Sequence, residues 1–414
     1  MVRLKGFKER ISVDEAIERL ENHKFKRVYS ERVSIENACG RILAEDVVAK
    51  FDVPHFDRSA VDGYAVFAED TFGATLNNPI KLKLVGEVEI GEKPIEIKRG
   101  EAVRVSTGSP IPKNANAVVM LEYTDEENGF VNIYRQVVPL ENVSKRGEDV
   151  KAGEVVLRRG EILQPQDVGI LATLGYREVE VLRKPRVVII STGNELVNVG
   201  ESLDVGKVVN SNAYMLSCAL KKHNCDPVIY GIVRDDFNEL RSAILKALEI
   251  GDVVITTGGT SVGKRDLVPE IVKELGEIVF HGISIKPGMP TGLGSIDGKP
   301  ILMLSGFPVA CIIGFELIFP HVLAKVTGVR ILKRRGEIVK AKLKRRIPSK
   351  AGVRTFARVI YKDGSVEPLM TSGSGILTSM IKANGIVVVP EDVEGFEGNE
   401  EVEVVLIRDL VEVI

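Results

Sequence analysis

The sequence predicts a multidomain protein of α/β and β class, in which a doubly wound parallel sheet is joined to two separate β modules. Three observations carry that prediction. From residue 185, strand-like runs alternate with helical periodicity ("RVVIIS", "AYMLSCALKKHN", "PVIYGIV", "ELRSAILKALEIG", "DVVITT"), which is the spacing of βαβ units. Residues 51–145 hold short apolar runs ("IKLKLVGEV", "EAVRVST", "AVVMLEY") broken by Gly, Pro and Asn, the texture of an all-β insertion. Residues 329–414 return to β texture ("EIVKAKLKRRI", "RTFARVIYK", "GIVVVPE") and read as a small β-barrel, with a sandwich as the alternative.

Taken in order, "SVDEAIERLEN" opens the chain's first helix. Ser12 and Glu15 stand at capping-box spacing, and Ala16, Ile17 and Leu20 share one face. Residues 146–180 mix strand and helix ("EVVLRRGEIL", "PQDVGILATLG"). Residues 1–50 plus 146–180 are therefore read as one linking α+β domain, interrupted by the β domain 51–145. The α/β domain follows over 181–328, with Leu240, Ile244 and Leu248 recurring every fourth residue, and the β-barrel domain over 329–414 closes the sequence.

Composition narrows the function classes. The 414 residues carry a formal charge of −2, without the clustered basic excess that nucleic-acid binding requires. Four scattered cysteines and five dispersed histidines form neither a C-x-x-C pair nor an H-E-x-x-H motif, so disulfide frameworks and His-based metal sites have no support. The apolar stretch 301–324 is long enough to span a bilayer. It contains Pro308, Glu316, Pro320 and His321 and is better explained by a buried strand, a loop and a buried helix. The N-terminal twenty residues are interrupted by charges throughout, unlike a signal peptide. A cytoplasmic protein with no membrane or nucleic-acid partner is expected.

Ligands of open α/β sheets bind beyond the carboxyl ends of the strands. Following each strand there, "RVVIIS" runs into Glu195, "IYGIV" into Asp235 and Asp236, and "VVIT" into "TGGTSVGKRD". "GISI" runs into Lys286 and "ILML" into Ser305. Carboxylates, a glycine turn and a lysine thus share one rim. Backbone amides of such a turn attract an anion, and Mg²⁺ held between carboxylates clamps phosphate oxygens. The rim reads as a metal-bridged phosphate site. For each residue singly a plainer role competes: Asp266 before an apolar helix is a natural N-cap, and Glu195 or Asp235 could be a solvated loop carboxylate.

Gly258, Gly263 and Lys264 nearly spell the phosphate-loop pattern G-x-x-x-x-G-K-[ST], but position 265 is Arg. The hydroxyl that would hold Mg²⁺ is absent, and the turn is an anion cradle of another kind. In the inserted domain, "PHFDRSAVDGYAV" gathers Asp57, Arg58, Ser59, Asp62 and Tyr64, and "RVSTGSPIPKNANAVV" places Thr107 and Gly108 before two prolines. "VSKRGEDV" adds Lys145, Arg146, Glu148 and Asp149. Turn chemistry accounts for Gly63 and Gly108, but not for two polar turns interrupting apolar strands so abruptly.

Seven motifs in one order, "FDRSAVDGYAV", "RVSTGSPIPKNANAVVM", "RGEDV", "RVVIISTGNELV", "GIVRDD", "TTGGTSVGKRD" and "IKPGMP", resemble the molybdopterin molybdenumtransferase family, the MoeA proteins and the E domain of gephyrin. The resemblance implies a molybdopterin-binding-like α/β domain and Mg²⁺-dependent insertion of molybdate into adenylylated molybdopterin with release of AMP. It implies catalytic roles for Asp62, Thr107, Glu195, Asp235 and Asp266, with Glu195 and Asp266 as metal ligands. Substrate contacts are implied at Gly258, Gly259, Thr260, Ser261, Lys286, Pro287, Ser305, Pro308, Asp149 and Ser374. It further implies a homodimer with a composite active site and a molybdopterin adenylyltransferase as partner. Where the family has L-P-G-N-P-V-S, this chain has "LSGFPVA", with Ser305, Phe307 and Ala310 as departures, and Ser144 thins the basic run before "RGED". These changes fall where an oxyanion is held, which brings tungstate into view beside molybdate. An adenylyltransferase or nucleotide pyrophosphatase on the same sheet domain, and a non-catalytic scaffold, are the competing readings.

Overall fold

The computed structural model describes residues 10–259, 267–330 and 337–408. They divide into two units, Glu31–Val181 and Met1–Ser30 with Leu182–Ile414. The first element, helix α1 (Val13–Asn22), starts where the Ser12 hydroxyl accepts the Glu15 amide at 3.1 Å. Its buried residues Val13, Ala16 and Leu20 belong to the core of the unit that contains the α/β sheet. The sequence groups this helix with the linking segment; an amphipathic helix instead follows the larger apolar surface available to its one face.

In the unit Glu31–Val181, the inserted strands are β1 (Gly63–Val66), β2 (Ile80–Val88), β3 (Glu101–Val105), β4 (Ala117–Met120), β5 (Thr124–Glu127) and β6 (Phe130–Ile133). They form one sheet in the order β4-β1-β3-β2-β6-β5. Only the β2–β3 pair is parallel. Neighbouring residues enter separate cores: Tyr64, Ala102 and Val119 one of them, Ala65, Val103 and Val118 the other. Both faces are covered at β1 and β4, whose residues are nearly all buried, whereas β2 alternates with exposed lysines and β5 is largely exposed. The segments flanking the insertion fold on each other through Ala38, Leu43 and Val47 with Leu157, Leu163, Leu171 and Val181. Helix α2 (Pro165–Thr173) belongs to this layer and begins with a capping box between Gln164 and Asp167.

The second unit is built on β7 (Arg186–Thr192), α3 (Ser211–Lys222), β8 (Asp226–Val233), α4 (Phe237–Ile250), β9 (Val253–Thr257), α5 (Leu267–Leu275), β10 (Glu277–His281), β11 (Gly292–Ile296), β12 (Lys299–Leu304) and α6 (Pro308–Thr327). The sheet order is β8-β7-β9-β12-β11-β10. Val187, Ile189, Val253, Ile255, Leu302 and Leu304 pack against α1, α3 and α6. Val188, Ile190, Val254, Ile301 and Met303 pack against α4 and α5. That division is the doubly wound arrangement.

One strand departs from the parallel expectation. β11 runs antiparallel to both β10 and β12. Asp297 and Gly298, at φ 50° and 74°, join it to β12 in a tight hairpin, and a hairpin fixes antiparallel pairing.

Helix α6 is long and apolar enough to cross a membrane by length and composition, with a mean hydropathy of 1.8 over its window and 61% of that window buried within the protein.

The C-terminal strands are β13 (Ile338–Leu343), β14 (Arg354–Lys362), β15 (Ser365–Met370), β16 (Gly385–Val389) and β17 (Glu401–Leu406). They pair in the order β14-β15-β13-β17-β16, and β16 pairs back to β14. The result is a closed five-stranded barrel, filled by Ala357, Val359, Val387 and Val404 among others. Closure leaves no free sheet edge among these five strands.

Candidate functional site

β7 has β8 on one side and β9 on the other, so the chain leaves it in opposite directions. The carboxyl ends of β7 and β9 are thus the topological switch point, where this sheet type opens a ligand crevice. β7 ends at Thr192, whose hydroxyl donates to Asp235 Oδ1 at 2.7 Å. Asn194 Oδ1 accepts the Asp235 amide at 3.2 Å, and the Asn194 carbonyl accepts Lys207 Nζ at 2.9 Å. Asp235 is therefore fastened to the end of a neighbouring strand, with its carboxylate exposed. The Glu195 carboxylate is also exposed. It folds back over Gly193, where an added Cβ would lie 2.6 Å from Oε1.

Gly258 and Gly259 follow β9 at φ +89° and +63°. A Cβ on Gly258 would lie 2.2 Å from the Thr192 carbonyl oxygen. The Gly258 amide donates to the Leu304 carbonyl at 3.1 Å. The ends of β7, β9 and β12 converge at this residue, and only glycine fits the approach. Thr260, Ser261, Lys264 and Asp266 lie outside the described residues, and with them the rest of the cradle and the second implied metal ligand.

Among the described residues no three His, Cys, Asp or Glu side chains group as a metal cage. Mg²⁺ bound beside phosphates uses only one or two carboxylates and keeps waters. Exposed Glu195 and Asp235 on the rim suit that phosphate-bridged mode and not a dedicated cage.

β12 leads into Ser305, Gly306 and Phe307, and Pro308 is the first residue of α6. Ser305 is buried, and its Oγ accepts the Phe307 amide at 3.2 Å. The Ser374 carbonyl accepts the Val309 amide at 2.9 Å, which brings the barrel loop carrying Ser374 to the first turn of α6. Lys286 is exposed and Pro287 buried. "GISI" is not one of the six sheet strands: Ile285–Lys286 pairs with Arg354–Thr355 of β14. Lys286 is presented by a strand added to the barrel, because the chain has already left the sheet at His281.

The residues singled out in the inserted domain form a second constellation within their own unit. Asp62 Oδ1 accepts both the Thr107 amide at 2.6 Å and the Thr107 hydroxyl at 2.9 Å. These two donors, the amide first, hold the Asp62 carboxyl below the ordinary carboxylate range. Gly63 is obligatory beside it, since a Cβ would lie 2.0 Å from the Val119 carbonyl oxygen. The Ser59 amide donates to the Ser109 carbonyl and the Gly108 amide to the Ser59 carbonyl, at 2.9 and 2.8 Å. Arg58–Ser59 also pairs with Val143–Ser144. Arg146 then reaches Asp52 with its guanidinium and Asp57 with its amide, at 2.6 and 2.7 Å. The three polar turns thus meet in one place. Asp149 is at its edge, tied by its amide to the Val53 carbonyl at 3.1 Å.

Several participants were not singled out from the sequence. Thr192, Asn194 and Asp52 act through bonds between segments far apart in the chain, which spacing does not reveal. Thr192 and Asn194 lie inside the motif "RVVIISTGNELV", but the motif does not show their partner Asp235.

Family models match three segments in order: the MoeA N-terminal region (domain I and II) over residues 11–175, a probable molybdopterin binding domain over 188–325, and the MoeA C-terminal region (domain IV) over 340–407. A putative molybdopterin biosynthesis protein of Methanocaldococcus jannaschii is 44% identical over 396 residues, covering 94% of each chain. A molybdopterin molybdenumtransferase of Staphylococcus aureus is 36% identical, covering 96% of this chain and 95% of its own. Two crystal structures of molybdopterin biosynthesis MoeA protein from Pyrococcus horikoshii superpose with TM-scores of 0.86 and 0.81, at 38% and 39% identity. They cover 97% and 96% of this chain and all of their own. The chain belongs to the MoeA family of molybdenum cofactor biosynthesis proteins.

Proposed function

We propose that this protein is a molybdopterin molybdenumtransferase, which inserts molybdate or tungstate into adenylylated molybdopterin with Mg²⁺ and releases AMP. The observation that carries this is the match of all three MoeA segments in order, on a chain whose carboxylates and glycine turn meet at the switch point of the sheet. In this reading the Gly259 amide holds the phosphate bridge, with Thr260 and Ser261 as further contacts, while Gly258, whose own amide is bound to the Leu304 carbonyl, admits the close approach. Glu195 and Asp266 would hold Mg²⁺, and when bound that ion would supply charge neutralisation at the phosphate bridge from which AMP is released. Asp235, fixed by the Thr192 hydroxyl, stays oriented toward the same rim.

Lys286, with Pro287, presents a cation to the incoming oxyanion. Ser305, Pro308 and Ser374 border the same pocket, and Asp62, Thr107 and Asp149 contribute from the inserted domain. We infer a homodimer in which each site joins the sheet domain of one chain to the inserted domain of the other. A molybdopterin adenylyltransferase supplies the substrate, in the cytoplasm. The test is AMP release from adenylylated molybdopterin, assayed with and without Mg²⁺ and with molybdate or tungstate. Release that needs both Mg²⁺ and oxyanion supports the proposal. Transfer of AMP from ATP onto molybdopterin instead would make the protein an adenylyltransferase.

A further inference from the structure

The segment joining β12 to α6 departs from the family motif at Phe307, and the structure holds that residue in place from both sides. Its amide donates to Ser305 Oγ at 3.2 Å, and its carbonyl accepts the Cys311 amide at 2.8 Å in the first turn of α6. The residue before it, Gly306, lies against the glycine turn, since a Cβ there would be 3.5 Å from Gly258 Cα. The ring runs alongside the barrel loop that carries Ser374. A Cβ on Gly375 would be 3.2 Å from Phe307 Cδ1 and 3.6 Å from Cε1, so glycine makes way for that edge. The loop is fastened in turn. Its Ser374 carbonyl accepts the Val309 amide at 2.9 Å. Arg358, wholly buried, donates to the Ser372 carbonyl and, at 3.3 Å, to Ser379 Oγ.

Framed in this way, Phe307 is nevertheless 59% exposed, and Gly306 and Gly375, which border it, are exposed as well. A stray surface phenyl needs no explanation. This one is set between two fastened segments and starts one residue from the contact with the glycine turn, about 3.8 Å along the backbone. That is within reach of an organic group attached to a phosphate held at the turn. We propose that Phe307 is a binding residue whose open ring stacks on the flat heterocycle of the bound substrate. This rests on the function proposed above. The heterocycle is adenine or the pterin, on one side or the other of the phosphate bridge, and stacking serves both. Where the family motif has Asn, which offers hydrogen bonds, the phenyl offers a π face and favours an aromatic ligand group.

The experiment compares wild type with Phe307→Ala, with Phe307→Leu, which keeps apolar bulk without a π face, and with Phe307→Trp, which enlarges the face. Calorimetry with Mg²⁺ and without oxyanion measures binding of AMP, ribose 5-phosphate and adenylylated molybdopterin. If adenine is the partner, Phe307→Ala weakens AMP binding about tenfold. Ribose 5-phosphate is then unaffected, and Phe307→Trp recovers AMP binding. If the pterin is the partner, AMP binds all four proteins alike. Phe307→Ala then weakens adenylylated molybdopterin by a similar factor, and Phe307→Trp recovers it. In either case Phe307→Leu stays close to Phe307→Ala. Unchanged binding of all three ligands, equal loss for AMP and ribose 5-phosphate, or a leucine variant as tight as wild type overturns the proposal. So does a Phe307→Ala protein that changes only its oligomeric state, because the ring then covers a second copy of the chain. Turnover is tested separately. A wild type that binds as expected but releases no AMP when oxyanion is added would fail the enzymatic reading and leave the stacking intact. AMP release with binding indifferent to Phe307 would fail the stacking alone.

Discussion

The switch-point rim and the Asp62–Thr107 turn hold their carboxylates in opposite ways. At the rim, Glu195 is exposed and Asp235 is secured by a single side-chain hydroxyl at 2.7 Å. What is rigid there is the backbone beneath, where Gly258 lets three strand ends close together. In the turn, the carboxylate itself is rigid, with two donors from one residue converging on the same Asp62 oxygen. On the proposed function, a rim that takes up a metal and phosphates would gain from carboxylates that protein donors have not already satisfied. A carboxylate clamped by its own protein is suited to orienting a partner and not to recruiting a cation.

The contrast predicts where each region breaks. The largest effect is expected from Gly258→Ala, which drives a methyl to 2.2 Å from the Thr192 carbonyl oxygen at a positive φ. It should destabilise the α/β unit by at least about 3 kcal/mol and abolish AMP release. At Gly259 the nearest atoms are the Thr192 and Val268 side-chain methyls at 3.0 Å, and Ala there should cost only about 1–2 kcal/mol. Thermal melting of both variants checks this. Equal losses would mean that the close approach at Gly258 is not what the rim depends on.

Next come Asp62→Ala and Asp266→Ala, each expected to lower AMP release by about a hundredfold or more. If sites are shared across a dimer, both lesions fall into one site of a mixed dimer and leave the other intact. Co-refolding the two variants in equal amounts should then restore roughly a quarter of wild-type activity. No recovery, with subunit exchange verified, would mean that each chain carries its own complete site.

A smaller effect is expected at Thr192→Val, which removes the hydroxyl that fixes Asp235 and keeps the shape. KM should change little while kcat falls by about three- to tenfold. Steady-state kinetics decide, and an unchanged kcat would make that bond irrelevant to catalysis.

The smallest concerns pH. The Asp62 carboxyl is held below its ordinary value, so its contribution to stability is present above the unfolded pKa of about 3.9. It is lost as pH falls through the lower folded value. Asp62→Asn should therefore be less stable than wild type above about pH 4 and converge with it below. Denaturation followed between neutral and acid pH tests the sign, and a gap that widens on acidification would contradict it.

What could be read in the sequence follows from how local each feature is. Glu195, Asp235 and the glycine turn were visible because each lies immediately after an apolar strand. The β insertion was visible because its turns are rich in Gly, Pro and Asn. The antiparallel strand β11 was not, since "GLGSI" offers little β-branched content, although the "DG" after it is a strong hairpin signal. The pairing of Ile285–Lys286 with β14 joins segments about 70 residues apart and leaves no local mark. The Asp62–Thr107 bond is likewise between distant segments, 45 residues apart. The turns could be singled out, but the contact between them could not.

Gly258 has one more consequence, and it concerns how strand β9 finds its alignment. Most strands carry an inside and an outside, and slipping by one residue is punished at once by exposing what should be hidden. β9 has no outside: Val253 to Thr257 are all buried, with Val253 and Ile255 in one apolar layer and Val254 in the other. Hydrophobicity alone would tolerate a slip. The marks that forbid it are at the two ends, where Gly251 admits the Val188 side chain, with room for no Cβ beyond 2.6 Å, and Gly258 admits the Thr192 carbonyl. The residue that shapes the rim is also a ruler for the strand below it. A chain that drifted here would misplace its candidate site and lose its fold together.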